Sequence, residues 1–335
     1  MPSTQVKKRR GGGLGNLFTL PLFAAGAWIA YSRFGIDHQV PLPDAILAER
    51  KPFLSQVAGW LNTYVDREAG GRPLVLVHSV NAAASAYEMG PLFRHYRSRR
   101  PVVALDLPGY GFSDRSPREY TPELFARAIL ELLEGQVGEQ ADVVGLSLGC
   151  EFVARAALMK PELFHSLVLI SPSGFNQYDT GRASQRAGMR GNADKVHAVL
   201  SFPLWGRALF DLIASKPSID YFLKQSFAGE PTPGFADYGY ATAHQPGAEH
   251  VPLHFVSGRL FTPNAAEVLY ENLRTPTLAI YDQDAYVSFD TLPTLLERNP
   301  RWRARRIAPT RGLPHFEKLE ETAAALDEFW DGLTE

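Results

Sequence analysis

The sequence predicts an α/β protein: a mostly parallel sheet flanked by helices, with a helical insertion late in the chain. Three observations carry this. Short runs rich in valine, leucine and isoleucine, bounded by turn residues, recur between longer amphipathic stretches. Those runs are continuous rather than alternating, as strands buried on both faces require. Between 173 and 274 the rhythm stops, and the chain becomes rich in glycine, proline and aromatic residues. A length of 335 residues suits one large α/β domain carrying an insertion. The expected organisation is an N-terminal piece at 1–36, a first core part at 37–172, a lid at 173–274 and a second core part at 275–335.

The first elements are read as an opening hairpin, 52–57 with 60–65, turning at Ala58 and Gly59. Core strands are expected at 74–77, 102–105, 142–144, 167–170, 277–281 and 303–307. Helices are expected at 122–133, 150–159 and 317–330. Within the insertion, helical patterns fall at 195–200, 204–214 and 219–225, with no buried parallel strand among them.

The N-terminal piece has its own chemistry. Lys7, Lys8, Arg9 and Arg10 precede an uncharged stretch at 11–32 whose dense apolar part is 17–31. Twenty-two helical residues reach about 33 Å, against about 30 Å of hydrocarbon, whereas the dense part alone falls short. The expectation is a membrane anchor, spanning or lying in the interface, with Trp28 and Tyr31 at the boundary. Its basic flank would stay cytoplasmic, with the body on the other side. Two alternatives stand beside it: a signal peptide cleaved near Ala25-Gly26-Ala27, and an apolar arm packed on the protein.

Charge excludes one class of partner. Lys plus Arg number 34 and Asp plus Glu 36, a net charge of −2, so nothing in the balance neutralises a phosphate backbone and no nucleic-acid partner is expected. The first 36 residues hold five basic and no acidic side chains, which leaves 29 basic against 36 acidic in the body. That acidic body argues against a broad grip on anionic lipid, so membrane contact is expected only through 1–36. A single cysteine, Cys150, allows no internal disulfide and no cysteine-cluster metal site.

The strand at 142–144 feeds into Gly145-Leu146-Ser147-Leu148-Gly149, which opens the helix at 150–159. A nucleophile on a tight strand-to-helix turn needs small neighbours, because its backbone is strained and adjacent chains come close. The helix N-terminus behind it favours developing negative charge.

Four segments in order resemble the α/β-hydrolase superfamily over residues 50–335, a serine-nucleophile, lidded, esterase- or lipase-like member. They are this GxSxG elbow; Asp106-Leu107-Pro108-Gly109-Tyr110-Gly111-Phe112-Ser113-Asp114; the strand 74–77 ending in His78; and Leu313-Pro314-His315-Phe316-Glu317 before the last helix. The resemblance implies an α/β-hydrolase fold and a chain order of serine, acid, histidine. Ser147 is then the nucleophile and His315 its base, the only one of nine histidines beyond the last expected strand. The acid follows the strand 277–281, which delivers both Asp282 and Asp284; the family's pattern favours Asp284. The oxyanion hole is expected from the backbone amides of Leu148 and Val80. The chain departs from the family at Ser79, where glycine is usual, so Ser79 stays an alternative donor.

Bland roles compete elsewhere. His78 is expected to be a structural hydrogen-bonding residue, Asp106 and Asp114 to organise their turn, Cys150 to pack, and Glu151 to be a favourable charge in a first helical turn. His250 and His254 have metal-ligand spacing, but Pro252 lies between them and no metal site is expected. Trp205, Phe210, Tyr221, Phe222 and Phe227 suit either an acyl pocket or packing of the insertion. The implied function is a serine hydrolase cleaving a carboxylic ester, a thioester or a lipid ester through an acyl-enzyme, without metal or organic cofactor. Acyl transfer, cofactor-free peracid formation, carbon–carbon hydrolysis and ligand binding without turnover are the alternatives.

Overall fold

The computed structural model describes the backbone of residues 16–176 and 183–334. The basic run Lys7 to Arg10 and the glycines at 11–13 lie outside the described residues.

Eight strands form one sheet: β1 (Glu49–Arg50), β4 (Thr63–Asp66), β5 (Leu74–Val77), β6 (Val102–Leu105), β7 (Ala141–Leu146), β8 (Phe164–Ile170), β9 (Thr277–Gln283) and β10 (Trp302–Arg311), in the order β1-β4-β6-β5-β7-β8-β9-β10. From β6 to β10 every neighbouring pair is parallel; β1 and β4 are antiparallel additions at one edge. All six expected core strands lie within observed ones. Alternate residues of a strand go to different cores: Val75, Val77, Val143 and Leu169 to one face, Leu74, Leu76, Val144 and Val168 to the other. This is the two-sided burial that continuous apolar runs imply.

The opening hairpin differs from expectation. β2 (Phe53–Ser55) pairs with β3 (Gly59–Leu61) as a separate ribbon, and only β4 enters the main sheet. The break is at Asn62, whose amide donates to Ser113 Oγ (2.9 Å) and whose side chain donates to Asp106 Oδ2 (2.9 Å). Side-chain acceptors take the donors that a continuous ladder would need.

One layer of helices holds α2 (Gly90–Tyr96) and the C-terminal pair α12 (Pro314–Glu317) and α13 (Leu319–Thr334); the opposite layer holds α3 (Pro122–Leu132) and α4 (Gly149–Met159). α3 begins at Pro122, with Thr121 capping the Leu124 amide at 3.2 Å. Among the described residues, the segment between β8 and β9 is helical: α5 (Ala183–Leu200), α6 (Gly206–Ile213), α7 (Lys216–Gln225), α8 (Phe235–Ala243), α9 (His250–Val256) and α10 (Ala265–Val268). Its buried Phe210, Ala214 and Ala243 pack on Ala82 and Ala83, in the loop after β5. α11 (Leu292–Arg298) joins β9 to β10.

No helix among the described residues is long and apolar enough to cross a membrane. α1 (Asn16–Gly35) packs instead on α6: Trp28 Nε1 donates to the Ala208 carbonyl (2.8 Å) and Ser32 Oγ to Asp211 Oδ2 (2.6 Å). Phe23, Tyr31 and Phe34 remain exposed.

Candidate active site

β7 ends at Leu146 and α4 begins at Gly149, so Ser147 occupies the turn between them with φ of 52°. That left-handed conformation costs a non-glycine residue about 1–3 kcal/mol and is held by its surroundings. The Ser147 amide donates to the Ile170 carbonyl at the end of β8 (2.9 Å), and the Ser147 carbonyl accepts from Cys150 N (3.1 Å). Both elbow glycines are demanded by close approach. A Cβ on Gly145 would sit 3.2 Å from Cys150 Cα, and one on Gly149 would come within 3.0 Å of the His78 carbonyl oxygen. Cys150 is fully buried, and burial pushes its thiol well above its ordinary range, as a packing role requires.

The loop after β5 borders the elbow. His78 is buried and structural: Nδ1 donates to the Ser79 carbonyl (2.6 Å) and Nε2 accepts from Leu107 N (2.9 Å), while burial lowers its pKa to about 3. The Ser79 amide donates to Glu88 Oε2 (2.8 Å) and is therefore spent. The Val80 and Leu148 amides have no acceptor among the described residues. Asp106 organises its turn, accepting from Ala86 N, Phe112 N and Asn62; a Cβ on Gly111 would overlap its carboxyl group. Asp114 likewise holds Ser116 N and Arg118.

β9 delivers the two acids to different ends. Asp282 accepts from Thr310 N (2.8 Å) and Arg306 (2.6 Å), which ties it to β10. Asp284 Oδ1 accepts from Tyr286 N (2.7 Å) and Val287 N (3.2 Å) in the loop beyond the strand. Its Oδ2 lies 3.4 Å from the position of a Cβ on Gly312, three residues before His315. Burial raises the Asp284 pKa against the pull of those amides and of Arg311.

His315 is fully buried in α12. Its Nε2 donates to the Glu88 carbonyl (2.7 Å), and its Nδ1 has no partner among the described residues. Burial lowers its pKa to about 4, with the Glu88 carbonyl opposing. Among the described residues no hydrogen bond joins Ser147, Asp284 and His315. α12 packs on β9, so the segments that carry the acid and the imidazole are neighbours, while the imidazole itself rests on Glu88.

Glu151 stands in the first turn of α4, as expected, and is buried there as well. It is 1% exposed and accepts from Ser173 Oγ and from Thr262 N (2.7 Å), which ties α4 to both ends of the helical segment. Burial pushes its carboxyl up to about 7, against those donors and Arg155. His254 spends both nitrogens, Nδ1 on the His250 carbonyl (2.8 Å) and Nε2 on Tyr120 N (3.4 Å). Among the described residues no group of three potential metal ligands occurs. Of the five aromatics of the insertion, Phe210 and Phe227 are buried and Trp205, Tyr221 and Phe222 exposed. Phe227 joins Phe235 and Phe316 in a cluster beside His315, and Tyr87 stacks on Tyr238 of α8.

Sequence reasoning missed Glu88, a buried acid in the turn Ala86–Met89, and Ser171, buried with φ of 44° and an unpartnered hydroxyl. For Glu88 the available signal was its position a few residues beyond Ser79; for Ser171 there was none.

The model of the alpha/beta hydrolase family matches residues 74–325. The uncharacterised hydrolase YugF of Bacillus subtilis is 35% identical over 118 residues, 34% of this chain and 42% of that protein. Esterase Rv0045c of Mycobacterium tuberculosis is 35% identical over 124 residues, 36% of this chain and 40% of that protein. The chain thus spans about two fifths of the curated relatives it matches. Among solved structures, a bacterial membrane phospholipase A superposes with a TM-score of 0.66 at 18% identity, over 96% of this chain and 94% of that one, a likeness of fold.

Proposed function

Since the chain belongs to the alpha/beta hydrolase family, we propose that it is a serine hydrolase cleaving a carboxylic ester through an acyl-enzyme. The observation that carries this is Ser147, strained at the end of a central strand beside two amides, Leu148 and Val80, that have no acceptor among the described residues. Ser147 Oγ attacks the ester carbonyl, and its proton passes to His315 Nε2. The two amides hold the oxyanion, the alcohol departs with that proton, and water activated by the same imidazole releases the acid. For this cycle the imidazole leaves the Glu88 carbonyl by turning about its side-chain bonds and gives up the Nε2 proton to solvent while taking one on Nδ1, so that Nδ1–H faces Asp284 and Nε2 is free to accept from Ser147. Catalytic hydrogen bonds commonly tighten only in the substrate complex.

The aromatic cluster of Tyr87, Phe227, Phe235, Tyr238 and Phe316 beside His315 favours an apolar acyl group, a lipid ester included. The segment 173–274, which carries α5 to α10, serves as the lid. Residues 1–36 contact the membrane from its surface, with exposed Phe23 and Phe34 as the apolar groups. N-terminal sequencing of the mature chain and assay of membrane and soluble fractions test that placement, cleavage near Ala27 being the competing outcome.

The decisive experiment is labelling with a fluorophosphonate, with Ser147→Ala as control, followed by a panel of esters from two to twelve acyl carbons. Labelling lost in Ser147→Ala is the expected result; activity falling steadily with chain length would remove the lipid ester. One observation favours a second reading, a family member that binds without turnover: the unjoined triad. A wild-type protein that neither labels nor hydrolyses any ester would establish it.

A further inference from the structure

The loop after β5 carries serine at 79 where glycine is usual in the family, and the structure gives that serine a dedicated partner. Glu88, 4% exposed, accepts from Ser79 N at Oε2 (2.8 Å), and at Oε1 from Ser79 Oγ (2.9 Å) and Asn81 Nδ2 (3.0 Å). Ser79 N and Asn81 Nδ2 can only donate, and with the Ser79 hydroxyl they hold both carboxyl oxygens, while burial raises the pKa of the group against those hydrogen bonds. No basic side chain forms an ion pair with it among the described residues. A buried carboxylate without a counter-charge is costly, and such groups concentrate at functional sites. The rest of the loop is pinned as well: Tyr110 OH donates to the Asn81 carbonyl (2.9 Å) and Ala83 N to Asn81 Oδ1 (2.8 Å). Between the clamped Ser79 and Asn81 stands Val80, whose amide has no acceptor among the described residues.

We propose that Glu88 is a positioning residue of the oxyanion hole: its carboxyl group clamps Ser79 and Asn81 and thereby keeps the Val80 amide free for the oxyanion. A side-chain clamp here replaces the backbone freedom that glycine supplies elsewhere in the family. The clamp also removes the Ser79 amide from the candidate donors. Because the Glu88 carbonyl is where His315 Nε2 rests, one residue organises both the oxyanion loop and the idle imidazole. The inference rests on the serine-hydrolase assignment made above.

The test is kcat and KM for short p-nitrophenyl esters in wild type, Glu88→Ala, Glu88→Gln, Ser79→Ala, and Glu88→Ala combined with Ser79→Gly. Losing one oxyanion donor typically costs 10² to 10³ in rate, so Glu88→Ala should lower kcat about 10²-fold with KM within about threefold. Glu88→Gln, which keeps one accepting oxygen, should lose only about tenfold, and adding Ser79→Gly to Glu88→Ala should recover about tenfold by restoring backbone freedom. Should Glu88→Ala not fold, Ser79→Ala carries the test, with an expected fall of about fivefold. A folded Glu88→Ala, or in its place Ser79→Ala, with kcat within about twofold of wild type overturns the clamp. Fluorophosphonate labelling of wild type reads the underlying assignment separately. Absent labelling overturns both, whereas labelling with an unchanged variant kcat overturns the clamp alone.

Discussion

Gly149 lies directly against the carbonyl of His78, so near that a Cβ at 149 would come within 3.0 Å of that oxygen. This contact brings the elbow and the loop after β5 together, and with them the Leu148 and Val80 amides. The obstructing atom is backbone and cannot swing aside. Gly149→Ala should therefore cost about 2 kcal/mol or more in folding stability, in the range of overpacked cores. It should also lower ester hydrolysis about 10²-fold, as losing an oxyanion donor does. Denaturant unfolding and kcat together check this; wild-type values for both would refute the contact.

Ser147 holds φ of 52° at a cost that glycine would not bear. Ser147→Gly should abolish fluorophosphonate labelling and raise stability by about 1 kcal/mol, the strain relieved less the entropy of an added glycine. Thermal melting of the variant beside Ser147→Ala measures it. A lower melting temperature than the alanine variant would mean that the turn is not strained.

The two acids after β9 should separate cleanly. Asp284→Asn should reduce kcat by about 10³- to 10⁴-fold, the loss expected when the imidazole loses its orienting carboxylate. Asp282→Asn should leave kcat within about threefold and cost about 1 kcal/mol, because Thr310 N and Arg306 lose their charged acceptor. Reversed kinetic effects would move the acid to Asp282.

His78 and His315 should resist protonation in the folded chain. Burial lowers their pKa values to about 3 and about 4, from 6.5, so both rings stay neutral at pH 5 while exposed imidazoles titrate. The unfolded chain binds these protons below pH 6.5. Each ring's contribution to stability is thus complete above that value and lost as pH falls through its folded pKa, by up to about 1.4 kcal/mol per pH unit. Glu151 acts oppositely: with its carboxyl pushed up to about 7 from 4.5, its contribution is full at low pH and lost as pH rises through about 7. Imidazole nitrogen NMR separates these where melting cannot, and His78 should show its proton on Nδ1. A His315 resonance titrating near 6.5 would refute its burial.

α1 is latched through Asp211, whose fully buried carboxylate accepts from Ser32 Oγ and pairs with His38 (3.0 Å) and Arg207 (3.2 Å). Asp211→Ala should cost about 3 kcal/mol, the price of breaking a buried pair from one side. Tryptic cleavage at Arg33 should rise about tenfold as the helix opens locally. Unchanged cleavage would mean that Trp28 alone holds α1.

The residues by themselves determined the strands and the elbow. The runs at 74–77 and 102–105 coincide with β5 and β6, because continuous apolar residues can be satisfied only in a sheet buried on both faces. Ser147 was legible because its glycines answer a local steric demand. Partners distant along the chain were decided by the tertiary structure alone. Glu151 reads as a helix-start charge, yet it meets Thr262, 111 residues away. The hairpin read at 52–65 yields at Asn62 to Asp106, 44 residues on. The imidazole of His315 bonds to the carbonyl of Glu88, 227 residues back, and among the described residues makes no hydrogen bond to Ser147 or Asp284. Periodicity reports which face of an element is buried; it carries no information about which donor meets which acceptor once those faces close.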